Sequence, residues 1–213
     1  MTLGAVQRRE FLAQMGEMLA EWNELEQHLF DLLVILSGSI LAGTILAANL
    51  QTDSLLKTLK LVASEYDALR QRIDKTLRHK AKQKKLIVKM HGRAVPRVHH
   101  LSDYVDRLRE YRNYYVHGLR VENKGFYVFT RSARSRLAAH YESLSVGKIK
   151  WLRRRIKIAN GYARKIYRST LDNENPLLSK PPSWPRKPPL PDKIQKPRLN
   201  LLDELPQPLS LPG

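Results

Sequence analysis

The 213-residue chain contains no cysteine. That removes disulfide staples, thiolate metal sites and thiol nucleophiles together, and leaves any core to packing alone. Proline is nearly missing from most of the chain: eleven of the 12 prolines fall in the last 38 residues, so Pro96 is the only one before residue 176. Acid is missing where base is dense. Lys75–Ser102 and Ser143–Leu171 each hold nine Lys or Arg and no Asp or Glu. A clean hydrophobic run is missing too. Residues 32–52 come nearest, with 21 residues free of formal charge, but Ser37-Gly38-Ser39 interrupts them and Gly43, Thr44, Asn49, Gln51 and Thr52 dilute them. The pattern reads as a helix end, a turn and a second helix start, all buried in a bundle rather than in a bilayer. The N-terminal residues lack the charged start, apolar run and small-residue cleavage site of a secretory signal. Together these features give the expectation of a cytoplasmic protein with no membrane partner.

What the chain has in excess is positive charge. Lys and Arg number 38 against 20 Asp and Glu, a net charge of +18 that favours polyanionic partners. The charge is unevenly placed. Residues 1–53 carry seven acids and only Arg8 and Arg9 as bases, whereas residues 54–175 carry 30 bases against ten acids. From these tracts Lys82, Lys84, Lys85, Lys89, Arg153, Arg154 and Arg155 are candidates for holding a polyanion, nucleic acid or an anionic membrane face.

Apolar spacing predicts helices. Phe11, Met15, Met18, Trp22, Leu25, Leu29, Leu32 and Leu36 recur by threes and fours as one stripe. A second helix is expected from about Ile40 through Leu77, striped by Leu55, Leu59, Val62, Tyr66 and Leu69. Gly92 and Pro96 punctuate the basic connector, in which His91, His99 and His100 read as surface residues. Leu101, Val105, Leu108 and Tyr115 mark a third helix closed by Gly118. Val121–Thr130 has the pattern of a short hairpin, and Ile149, Leu152, Ile156, Ala159, Ala163 and Ile166 mark a closing helix. The expected fold class is therefore all-α: a four- to five-helix bundle over residues 1–175, with a short β-hairpin after the third helix. Residues 176–213 form a Pro-rich tail expected to be extended and disordered. Within it Arg186-Lys187-Pro188-Pro189-Leu190-Pro191 looks like a groove-binding peptide, although the composition is that of a linker; the leucines of 199–211 could dock on a partner or on the body.

The sharpest local anomaly is Arg112. Continuing the rhythm 101, 105, 108 lands on 112 and then 115, so a permanent cation stands where the stripe asks for leucine. Such a guanidinium must be paired or face a cleft. Glu26, beside Trp22 and Leu29 at the edge of the first stripe, is the candidate counter-ion. Asn113 and His117 are spaced i,i+4 and share a face, and the long arginine can sweep toward it. A histidine beside a fixed cation suits acid–base chemistry on a phosphodiester. Tyr114 and Tyr115 could stack on an unpaired base, although Tyr115 lies on the stripe and packing suits it better.

Arg112-Asn113-x3-His117-Gly118 resembles the R-x4-6-H signature of the HEPN superfamily, including its polar residue directly after the arginine. Trp22-Asn23-Glu24-Leu25-Glu26 on the first helix, the motif near the end of a later helix, the hairpin and the closing helix extend the resemblance over about residues 5–172. It implies a HEPN-like helical bundle and metal-independent endoribonuclease activity, of the kind found in toxins, antiphage systems and RNA-processing proteins. It also implies a homodimer with two motifs in one cleft and no cofactor or metal. Arg112, His117 and Asn113 would be the catalytic residues, supported by Glu26 and Tyr115. RNA is the expected partner, and an antitoxin or another protein bound through the tail is a further one. A catalytically silent HEPN dimer that binds RNA or a protein is the competing expectation, as is a membrane-associated helical protein using residues 32–52.

Overall fold

The computed structural model describes residues 5–48, 50–77, 94–122, 125–132, 135–174 and 184–194, and five helices make up most of them. They are α1 (Ala5–Leu36), α2 (Ile40–Ala47), α3 (Thr52–Leu77), α4 (Ala94–Gly118) and α5 (Val146–Glu174). Between α4 and α5 the backbone runs as three antiparallel strands, β1 (Leu119–Glu122), β2 (Gly125–Ser132) and β3 (Ser135–Ser143), in spatial order β1-β2-β3.

The body is built around α1. Every member of its apolar stripe from Phe11 to Leu36 is buried, and Leu33 joins them. One flank of α1 packs along α5, whose own stripe from Ile149 to Ile166 is fully buried; α2 and α3 lie against it as well, and α4 packs on both α3 and α5. Burial of these stripes is what makes long, highly charged helices stable in water.

The expected helix 40–77 is two helices. α2 ends at Ala47, where the Leu50 amide donates to the Ala47 carbonyl at 3.1 Å, and α3 restarts at Thr52. On α3 the buried face centres on Leu56, Leu59 and Ala63, so Val62 sits at its edge and Leu69 is 55 % exposed. The apolar run around α2 is not wholly buried either: Gly43 and Ala47 face inward, while Ile40, Leu41, Ile45 and Leu46 are exposed. The reason is reach, because a helix of two turns docked through its small residues turns its large ones outward. Gly38, at φ +68°, makes the turn between α1 and α2 in the left-handed region that glycine tolerates. Among the described residues no helix is long and apolar enough to cross a membrane.

Two further expectations change. His99 and His100 belong to α4 rather than to a surface loop. The helix starts at Ala94, so Pro96 falls in its first turn, where a missing N–H leaves no bond unmade. The Pro-rich tail, expected to be extended and disordered, is docked on the body over residues 184–194. Trp184, Leu190 and Ile194 pack against the core, and three of the segment's carbonyls accept hydrogen bonds from α4. High proline content rules out helix and inner strand, but leaves carbonyls and ring surface free to bind a neighbour.

Candidate functional site

The last turns of α4 border a cavity of about 650 Å³. α4 contributes Arg109, Arg112, Asn113 and His117 to it, α1 contributes Trp22, Asn23, Glu26 and Gln27, and Thr52 and Asp53 come from the start of α3. All three proposed catalytic residues are thus on one cavity. At about 100° per residue, Arg112, Asn113 and His117 spread over roughly 140° of the helix, and a concave site accommodates that spread where a flat face would not.

Arg112 is half-buried. Its Nη1 donates to Asn113 Oδ1 at 3.0 Å, and its guanidinium carbon lies 5.9 Å from the centre of the Trp22 ring. Its Nε is buried with no hydrogen-bond partner among the described residues. The expected Arg112–Glu26 ion pair is not formed. Glu26 Oε1 instead accepts from Trp22 Nε1 at 2.9 Å and from the Thr52 hydroxyl, which ties α1 to the first turn of α3. A carboxylate at a helix N-terminus is electrostatically favoured there, and Glu26 takes that position. Both residues still line the same cavity. His117 is exposed at the cavity border, on the last turn of α4.

Arg109 is held by carboxylates, at 2.7 Å from Asp106 and 3.2 Å from Asp53. The Asp53 carboxyl lies below the usual range because Lys57 donates to it at 2.6 Å, with the Arg109 charge adding to the effect. Asn23, Gln27, Thr52, Asp53 and Arg109 were not singled out from sequence. Asn23, Glu26 and Gln27 did carry a signal, a polar strip at i, i+3, i+4 beside the Trp22 stripe. Thr52 and Asp53 carried none, because their place depends on how α3 docks.

Tyr115 does not support this site. It is buried on the other side of α4, its ring centre 6.1 Å from that of Tyr111 and 5.7 Å from that of Tyr114. Tyr115 and His117 are about 160° apart around the helix, so packing claims the one and the cavity the other. Tyr114 is buried as well and offers no free face for a base.

Of the candidate RNA-binding residues, the three that are described, Arg153, Arg154 and Arg155, do not line the cavity. Lys82, Lys84, Lys85 and Lys89 lie outside the described residues. Arg153 is bound by α1 acids, with Nε donating to Glu21 at 2.8 Å and Nη1 to Glu17. Lys150–Glu10 at 2.8 Å and Lys157–Glu21 at 3.2 Å continue this α1–α5 seam. Arg155 lies 5.8 Å over the Trp151 ring, while Arg154 is exposed. On α1 the seam residues Glu10, Glu17 and Glu21 face roughly 160° away from the cavity residues Asn23, Glu26 and Gln27. The α5 cations therefore stand on the far flank of α1 from Arg112 and His117. Among the described residues no three His, Asp or Glu side chains are grouped to hold a metal ion.

Comparison with known proteins gives no neighbour for this arrangement: no protein-family model matches the chain, and no curated protein and no solved structure matches it either.

Proposed function

We propose that the cavity is the active centre of a metal-independent endoribonuclease of HEPN type, which works as a homodimer. The observation that carries this reading is the meeting of Arg112, Asn113 and His117 on one cavity of about 650 Å³, with the Arg112 Nε left without an acceptor among the described residues. That volume lies within the usual range for small-ligand sites, enough for a nucleotide unit. Asn113 Oδ1 and the Trp22 ring hold the guanidinium in place, so its remaining donors are preorganised for an anion.

In this mechanism one His117 removes the proton from a ribose 2′-OH. The 2′-oxygen attacks the adjacent phosphorus, Arg112 stabilises the phosphorane charge, and a second histidine protonates the departing 5′-oxygen. The products are a 2′,3′-cyclic phosphate and a free 5′-OH. One imidazole cannot stand on both sides of the phosphorus, so the second comes from a two-fold related copy. The apolar face that α2 exposes, Ile40, Leu41, Ile45 and Leu46, is surface available for such a pairing. Incubation with RNA in EDTA should give fragments ending in cyclic or 3′-phosphate. Activity that vanishes in EDTA and returns with magnesium would overturn the mechanism. A growth-arresting toxin or antiphage effector is the corresponding biological role, read as arrest on induction that depends on His117.

One observation favours the binding-only alternative. None of the described α5 cations lines the cavity, and three of them, Lys150, Arg153 and Lys157, are paired with α1 acids. A protein that binds RNA or a partner without cutting would release no product in the same assay.

A further inference from the structure

Residues 184–194, Trp-Pro-Arg-Lys-Pro-Pro-Leu-Pro-Asp-Lys-Ile, run along α4 on the side away from the cavity. The contact is periodic. Arg97 Nε donates to the Pro185 carbonyl at 3.0 Å, His100 Nε2 lies 2.7 Å from the Pro188 carbonyl, and Arg107 Nη1 donates to the Pro191 carbonyl at 2.6 Å. A period of three is that of polyproline II, in which six residues rise roughly 19 Å. The ten helical residues from Arg97 to Arg107 rise roughly 15 Å, a difference that long side chains absorb. The Arg97 guanidinium also lies 5.7 Å over the Trp184 ring, and the His100 ring meets that of Tyr162 on α5 edge-on at 5.9 Å. α4 thus presents a ladder of cationic and imidazole donors, with the Tyr162 ring of α5 beside its middle rung and the Arg97 guanidinium at one end, where it can stack on an aromatic ring of the peptide.

Such a ladder reads backbone carbonyls, which any polyproline-II peptide presents. The chain's own segment fits it imperfectly. Trp184 Nε1 and the Tyr162 hydroxyl are both buried without a partner among the described residues. The segment also brings Arg186, Lys187 and Lys193 against one acid, Asp192, to donors that are themselves Arg97 and Arg107. Tethering compensates for that mismatch, because a linker of nine residues, 175–183, holds the segment at high effective concentration. We propose that the α4–α5 face is a receptor for proline-rich peptides of neutral or acidic charge from another protein, and that residues 184–194 are its tethered occupant, displaced when that partner binds. The proposal is independent of the nuclease reading, since the two sites lie on opposite sides of α4.

The test uses the full chain with Lys193→Cys, its only cysteine, carrying an environment-sensitive dye. Two peptides are titrated in: residues 184–194 as they stand, and the same peptide with glutamate in place of its two lysines and one arginine. Both should shift the dye emission, the acidic peptide at a concentration at least tenfold lower. An acidic control of equal charge with every proline replaced by alanine should leave the emission unchanged. Arg97→Ala with Arg107→Ala should weaken both peptides at least tenfold. Should that double variant lose its helical circular dichroism, Arg107→Ala alone serves, with a smaller loss expected. No shift with either peptide overturns the receptor. A shift of equal midpoint for both peptides overturns the partner's charge. Displacement by the proline-free control overturns the polyproline recognition and leaves charge attraction alone.

Discussion

Arg112 and Glu26 share a cavity without sharing a proton-bridged pair, and this separates the consequences of losing each. Glu26 accepts from Trp22 and Thr52, so Glu26→Ala leaves an indole N–H and a hydroxyl without their acceptor at the α1–α3 junction. That should cost about 1–3 kcal/mol. Among the described residues Arg112 gives up one side-chain hydrogen bond and a contact over Trp22, so Arg112→Ala should cost no more than about 1 kcal/mol. Urea unfolding of the two variants checks the order, and the reverse order would mean that Arg112 does neutralise Glu26 in solution. For catalysis the ranking inverts. Arg112→Ala and His117→Ala should each abolish RNA cleavage with circular dichroism unchanged, and cleavage at the wild-type rate by His117→Ala would end the site assignment. Tyr162 gives a separate handle at high pH. Burial pushes its phenol up to about 12 from an ordinary value near 10. The unfolded chain thus loses this proton first as pH rises, and the stability tied to it is complete below pH 10 and lost between about 10 and 12. Tyr162→Phe should flatten the alkaline fall by at most roughly 2–3 kcal/mol relative to the parent. An identical alkaline slope in the two proteins would show that the phenol titrates freely.

At the scale of elements, α2 is the piece whose placement rests on the smallest contact. A Cβ added at Gly43 would lie 2.5 Å from the Val34 backbone and 2.8 Å from Ser37 Oγ. Gly43→Ala therefore forces α2 away from α1, and since Ala47 and Leu50 line the cavity the shift reaches the site. The expected loss is about 1–3 kcal/mol, read as a lowered melting temperature; an unchanged one would show α2 to be free to slide. This contact also marks where sequence reading stops. The α1 and α5 stripes are legible because a 3.6-residue period records which face is covered, whatever covers it. The arginine out of rhythm at 112 is legible for the same reason, whereas the break at 48–51 is not, because the apolar residues on either side of it continue without a strong turn signal. What a face meets is another matter. That Thr52 would take Glu26, that Glu17 and Glu21 would take Arg153, and that Pro185, Pro188 and Pro191 would meet α4 all depend on pairings 26 to 136 residues apart. Local pattern carries no record of these.

For the molecule as a whole, the proposed chemistry needs two copies. Light scattering at micromolar concentration should return about twice the mass of one chain. Mixing excess inactive His117→Ala subunits into the parent protein should lower activity beyond simple dilution, because a mixed cleft keeps one histidine where the chemistry needs two. A fully active monomer would rule out the composite site.

The order in which the helices leave the ribosome follows from one bond already described. Asn160 on α5 donates to the Glu21 carbonyl on α1 at 3.1 Å, across 139 positions of sequence. At ordinary synthesis rates that separation amounts to something on the order of ten seconds. During this interval the first helix has been made but its largest neighbour has not, and of the helices that pack along its apolar stripe from Phe11 to Leu36 only α2 and α3 are there. Each newly made molecule thus passes through a period as a client for holding chaperones, and a ribosome stalled before about residue 150 leaves behind a fragment that is sticky rather than merely short.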